Sequence, residues 1–97
     1  ITLTKNIIWV YIYISVDTNM TEKDLIQLIK KSLKTKQKVD IKSNSKNIEE
    51  WDSVAQLIIL SNLDKKLKGA TSNISEIATA NSVKKILVIL KKNKLVR

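Results

Sequence analysis

Aliphatic residues recur along most of this chain at intervals of three and four, and polar residues mark where each run starts and stops. Thr21-Glu-Lys-Asp24 sets a hydroxyl three residues ahead of a carboxylate, the pattern of a helix-opening capping box. Leu25, Leu28, Ile29 and Leu33 follow at i, i+3, i+4 and i+8, which predicts one buried helix face running to about Lys34. The stretch "TKQKVDIKSNSKNIEEW" (35–51) is too polar for such a face and long for a connection. Loops of that length are usually functional or disordered. Val39, Ile41, Ile48 and Trp51 are spaced to pin this one to a core, so an ordered crossover is expected.

A second helix opens at Asp52-Ser53 and ends before Gly69, the only glycine, which suits a left-handed C-cap. Val54, Leu57, Leu60, Leu63 and Leu67 read as its inward stripe, widened by Ile58 and Ile59. A helix apolar over so much of its circumference expects neighbours on more than one side. "SNISEIATA" predicts a short third helix through Ile74, Ile77 and Ala78. "NSVKKILVILKKNKL" predicts a fourth, with Val83, Ile86, Leu87 and Leu90 inward and lysines toward its C-terminus, where they suit the helix dipole. No proline interrupts the pattern. The expected fold is all-α, a small four-helix bundle with three main helices, a short third one and a long first loop.

The texture changes at Met20, the only methionine. Residues 1–19 hold both tyrosines and one of the two tryptophans, with one lysine and one aspartate. The run Ile7–Val16 is about half of the ~20 apolar residues a membrane span requires, so no stable insertion is expected. It lacks the basic start and small-residue cleavage site of a secretory signal. As a strand it finds no pairing partner elsewhere in the sequence. Residues 1–19 are therefore read as an appendage, and residues 20–97 as the functional domain.

Composition narrows the chemistry. The 97 residues contain no cysteine and no histidine. Disulfides, protein thiolates, histidine-based catalysis and the usual zinc ligand sets are all excluded, and no metal site is expected. A cytoplasmic setting is compatible with that. The formal net charge of +9 prompts nucleic acid or an anionic membrane as partner. A general lysine- and isoleucine-rich composition accounts for the same charge.

The border at Trp51-Asp52-Ser53 then stands out. Asp52 or Ser53 can serve simply as the helix cap, and Ser53-Val-Ala-Gln56 is itself an acceptable capping box. Nucleophilic catalysis by Ser53 lacks the base that must take its proton. It also lacks a glycine-rich elbow, so no catalytic residue is assigned. A third use needs only position. A hydroxyl in the first turn of a helix suits a phosphodiester made by another enzyme, because the added charge meets the positive end of the dipole.

"WDSVAQLIILSNLD", followed by "SEIATANSVKKILVILKK", resembles the acyl carrier protein family, and the likeness runs through essentially all of residues 20–97. The Trp-Asp-Ser form looks most like the stand-alone carriers. The resemblance implies that Ser53 receives 4′-phosphopantetheine from coenzyme A through a separate, magnesium-dependent phosphopantetheinyl transferase. Asp52 corresponds to the acidic residue commonly involved in transferase recognition. The arm brings the thiol that the chain lacks and carries an acyl or aminoacyl group as a thioester to partner enzymes. The carrier itself, expected as a monomer, catalyses nothing. The family can also shelter acyl chains between its helices.

The chain departs from the family in charge. Typical members are strongly acidic; this one keeps Glu49, Glu50, Asp52 and Asp64 but places Ile58 where many have glutamate. Lys65, Lys66 and Lys68 follow at the helix end. A specialised fatty-acid, polyketide or related pathway is therefore favoured over bulk synthesis. Docking is expected through Glu49 and Glu50 near Ser53 and through apolar contacts from Val54 and Ile58. The rival reading is a basic helical module in which Lys84, Lys85, Lys91, Lys92, Lys94 and Arg97 contact phosphates of nucleic acid or of a membrane surface. No familiar recognition motif accompanies those lysines, and no nucleic-acid partner is expected.

Overall fold

The computed structural model describes residues 20–96. The expectations for residues 1–19 and for Arg97 lie outside them. Three α-helices make up the described part: α1 (Glu22–Leu33), α2 (Ser53–Lys66) and α3 (Val83–Lys92). Between α2 and α3 come two short 3-10 segments, Ala70–Asn73 and Ser75–Thr79. The expected short third helix is not formed as an α-helix. Its stretch closes i→i+3 bonds instead, with the Ile77 N–H donating to the Ile74 carbonyl and that of Ala80 to Ile77. Ile77 is buried there as expected, whereas Ala78 faces solvent.

Each helix starts where a polar side chain replaces a missing backbone partner. Thr21 and Asp24 form the reciprocal capping box at α1, Asp52 caps α2, and Ser82 caps α3 by accepting from the Lys85 N–H at 3.1 Å. The terminations are as local. Lys34 takes a left-handed conformation after α1. Past α2, Lys68 and Gly69 are both left-handed, and the Gly69 N–H reaches back to the Asp64 carbonyl at 2.8 Å.

The core follows the predicted faces of α1 and α3. Leu25, Ile29 and Leu33 from the first and Val83, Ile86, Leu87 and Leu90 from the last are buried. Helix α1 packs along α2 and also meets α3, while α3 carries the Ser75–Thr79 segment. Full burial of each such side chain contributes roughly 1.5–3 kcal/mol. Met20 is buried as well and bridges in parallel to Val96, which brings the two ends of the described part together.

The stripe expected on α2 is corrected. Val54 is 65 % exposed and Leu57 67 %; the buried positions are Ala55, Ile59, Leu63 and Leu67. The reason is angular. Successive helix residues turn by about 100°, so a row taken in steps of three slips back about 60° each time. From Val54 through Leu57 and Leu60 to Leu63 the row therefore crosses from the outer side of the helix to the inner one. Nor does α2 have helix neighbours all round, because its outer side is open along Val54, Leu57 and Ile58.

The long connection between α1 and α2 is an ordered crossover. Val39, Ile48 and Trp51 are buried and Ile41 is half-buried. Its polar residues tie the backbone. The Asp40 N–H donates to the Ser43 hydroxyl, and the Asn44 N–H to the Asn47 side chain at 2.8 Å. The Ser45 N–H reaches the Asn81 carbonyl, and the Val83 N–H reaches that of Ser43. Buried hydroxyls elsewhere are matched too. Ser32 accepts from the Asn62 amide at 2.8 Å, and Thr71 donates to Asp64 at 3.0 Å. Among the described residues no helix is long and apolar enough to cross a membrane.

Candidate functional site

The first turn of α2 is built from the buried Trp51 outward. Trp51 is 3 % exposed and fixes the end of the crossover against the core. The next residue, Asp52, is extended, and its Oδ1 accepts from the Ala55 N–H at 2.8 Å. Asp52 is therefore the cap, and the Ser53 hydroxyl is left out of it. Ser53 is the first helical residue and is exposed. The alternative capping box, Ser53 to Gln56, is not formed.

Gln56 has a different use. Its Oε1 accepts from the Trp51 indole N–H at 2.7 Å, and its Nε2 donates to the carbonyls of Ala80 at 2.9 Å and Ala78 at 3.4 Å. One side chain thus joins the crossover, α2 and the wall formed by residues 75–80. Nothing in the local pattern announces the link to the wall, because Ala78 and Ala80 arrive from more than twenty residues away.

Beside Ser53 lies a cleft of about 650 Å³, lined among others by Asp52, Gln56, Leu57, Ala78, Thr79 and Asn81. The floor mixes amide, hydroxyl and aliphatic groups and contains no carboxylate other than Asp52. Leu57 belongs to this site although its spacing assigned it to the core. The slip of about 60° at each three-residue step between Leu63 and Leu57 was the available signal.

The sequence-predicted docking residues fall around the same place. Val54 and Ile58, one turn apart, are 65 % and 40 % exposed and flank Leu57 on the outer side of α2. Glu49 and Glu50 are exposed just ahead of the helix. Glu50 is also structural, since the Thr35 hydroxyl donates to its Oε1 at 3.0 Å and fixes the start of the crossover against its end. An uncapped hydroxyl, an acidic approach and an aliphatic outer face are thus brought together at one end of α2. The rival lysines Lys84, Lys85, Lys91, Lys92 and Lys94 are exposed along and just beyond α3. Lys92 makes a 3.8 Å ion pair with Glu76. Compared with protein-family models, curated proteins and solved structures, the chain matches none.

Proposed function

We propose that this chain is a carrier protein in which Ser53 bears a 4′-phosphopantetheine arm, loaded with an acyl or aminoacyl group and offered to partner enzymes. The observation that carries the reading is the position of the Ser53 hydroxyl: exposed, in the first turn of a 14-residue helix, outside the cap that Asp52 supplies. A phosphodiester formed there meets the positive end of the α2 dipole, a contribution of about 0.3–1 kcal/mol at an exposed site. The cleft beside it offers room and mixed polarity for an arm that is itself amide-rich and aliphatic.

In the modification, the Ser53 oxygen bonds to the β-phosphorus of coenzyme A. The pyrophosphate bond breaks, adenosine 3′,5′-bisphosphate leaves, and the serine proton passes to the transferase or water. The arm supplies the thiol for thioester chemistry. The chain's own part is to hold the ester in solvent and to present Val54, Leu57, Ile58, Glu49 and Glu50 around it. A cytoplasmic carrier of a specialised fatty-acid or polyketide pathway fits this arrangement.

Incubation with coenzyme A, magnesium and a broad-specificity phosphopantetheinyl transferase, followed by intact mass measurement, tests the proposal. The wild type should gain one phosphopantetheine and Ser53→Ala none. An unmodified wild type would sink it. Docking is a separate matter: Ile58→Glu should slow loading and transfer, and unchanged rates would remove Ile58 from the docking face.

A further inference from the structure

The side chains at i, i+3, i+7, i+10 and i+14 from Ser53, running along α2 to its C-cap, lie along one strip. They are Ser53, Gln56, Leu60, Leu63 and Leu67, and they pass from exposed, through two half-buried positions, to fully buried. The strip leads from the modified hydroxyl into the apolar interior, and Gln56 is its first step inward. Three hydrogen bonds engage the Gln56 amide: its oxygen accepts from Trp51, and its nitrogen donates to the carbonyls of Ala80 and Ala78. The wall it holds is a 3-10 segment, whose own hydrogen bonds have poorer geometry than those of an α-helix. That wall is otherwise fastened by Ile77 and Ala80, both buried, and by the exposed Glu76–Lys92 pair.

We infer that Gln56 determines where cargo rests: by tying Ser75–Ala80 to α2 it keeps a carried acyl chain in the open cleft and out of the helical interior. The inference rests on the carrier reading for its cargo, but the latch itself is a property of the unmodified protein. Gln56→Leu removes both halves of the relay. Gln56→Glu separates them, because a carboxylate still accepts from the Trp51 indole but opposes the carbonyl oxygens of Ala78 and Ala80.

Two measurements on unmodified protein test the latch. Amide exchange at Ile77 and Ala80 should quicken severalfold in both variants, while the indole N–H resonance of Trp51 should move in Gln56→Leu and stay near its place in Gln56→Glu. Unchanged exchange in both variants would overturn the latch. Transfer of octanoyl-phosphopantetheine from octanoyl-coenzyme A then tests the cargo. Methyl resonances of Ile59, Leu63 and Ile77 should be undisturbed in the loaded wild type and displaced in loaded Gln56→Leu. Displacement in the wild type, or none in the variant, would overturn the assignment to Gln56. Failure of the wild type to accept any phosphopantetheine would refute the carrier reading and leave the exchange result to judge the latch.

Discussion

Leu57 in α2 and Leu87 in α3 are the same residue in two helices of one small bundle, each preceded by a capped first turn and each predicted to face inward. Leu87 is 5 % exposed and Leu57 67 %. The difference lies in what surrounds them. In α3, Val83, Ile86, Leu87 and Leu90 stand at i, i+3, i+4 and i+7, so they stay on one side, while Lys84, Lys85, Lys91 and Lys92 share the other with the exposed Val88. In α2 the first two turns are aliphatic on both sides, and only one side has helices to meet. A helix with that surplus leaves part of it in water, and here the exposed part surrounds Ser53. The polarity of α3 serves the fold; the excess apolarity of α2 stays in solvent beside Ser53.

The comparison can be broken most forcefully by cutting back both leucines. Leu87→Ala should cost about 2–5 kcal/mol in urea denaturation, as a buried truncation leaves a cavity. A loss for Leu57→Ala as large as that for Leu87→Ala would mean the outer side of α2 is packed after all. Next in size is the cap: Asp52→Ala should cost roughly 0.5–2 kcal/mol by thermal unfolding. The same substitution bears on loading, and Asp52→Asn, which can still cap, distinguishes the two effects: stability restored with slow phosphopantetheine transfer would assign Asp52 to the transferase. Leu57→Ser should shift stability by no more than about 0.5 kcal/mol while lowering the rate of loading. An unaltered rate would take Leu57 out of the docking face.

The smallest effect expected is on pH dependence, at the start of α1. The Thr21 N–H donates to the Asp24 carboxylate, at 3.2 Å, and with the Thr21 hydroxyl it holds the Asp24 pKa below its ordinary value of 3.8. A folded-state pKa below the unfolded one gives stability that is complete above the unfolded value and lost as pH falls through the folded value. Melting temperatures measured across the acid range should therefore fall less for Asp24→Asn than for the wild type. Equal slopes would show that the capping box does not form in solution.

Much of this architecture was legible in advance where one rule sufficed. The boundaries of α1 and α3 follow from a cap, a repeat and a basic last turn, all within a dozen residues. The crossover was anticipated because Val39, Ile48 and Trp51 stood out against a polar background. The outer side of α2 escapes that rule, because Val54, Leu57, Leu60 and Leu63 at steps of three look like a face but wind around the helix. Residues 75–79 form a 3-10 segment that packs against α3, and the relay through Gln56 reaches carbonyls more than twenty positions away. Such contacts have no local period. Asp52 and Ser53 were recognisable as a pair, but which of them caps is decided by geometry at atomic scale.

The crossover carries Lys36, Lys38, Lys42 and Lys46 on its surface, four bonds that trypsin would cut in a slack chain. Its backbone is instead held by Ser43, Asn44, Asn47 and the Ser45–Asn81 link. A protease must wait for those ties to let go before it can draw the segment into its active site. Nicking at these lysines therefore counts local openings, and its slowness relative to an unfolded control gives a direct reading of how firmly the approach to Ser53 is held.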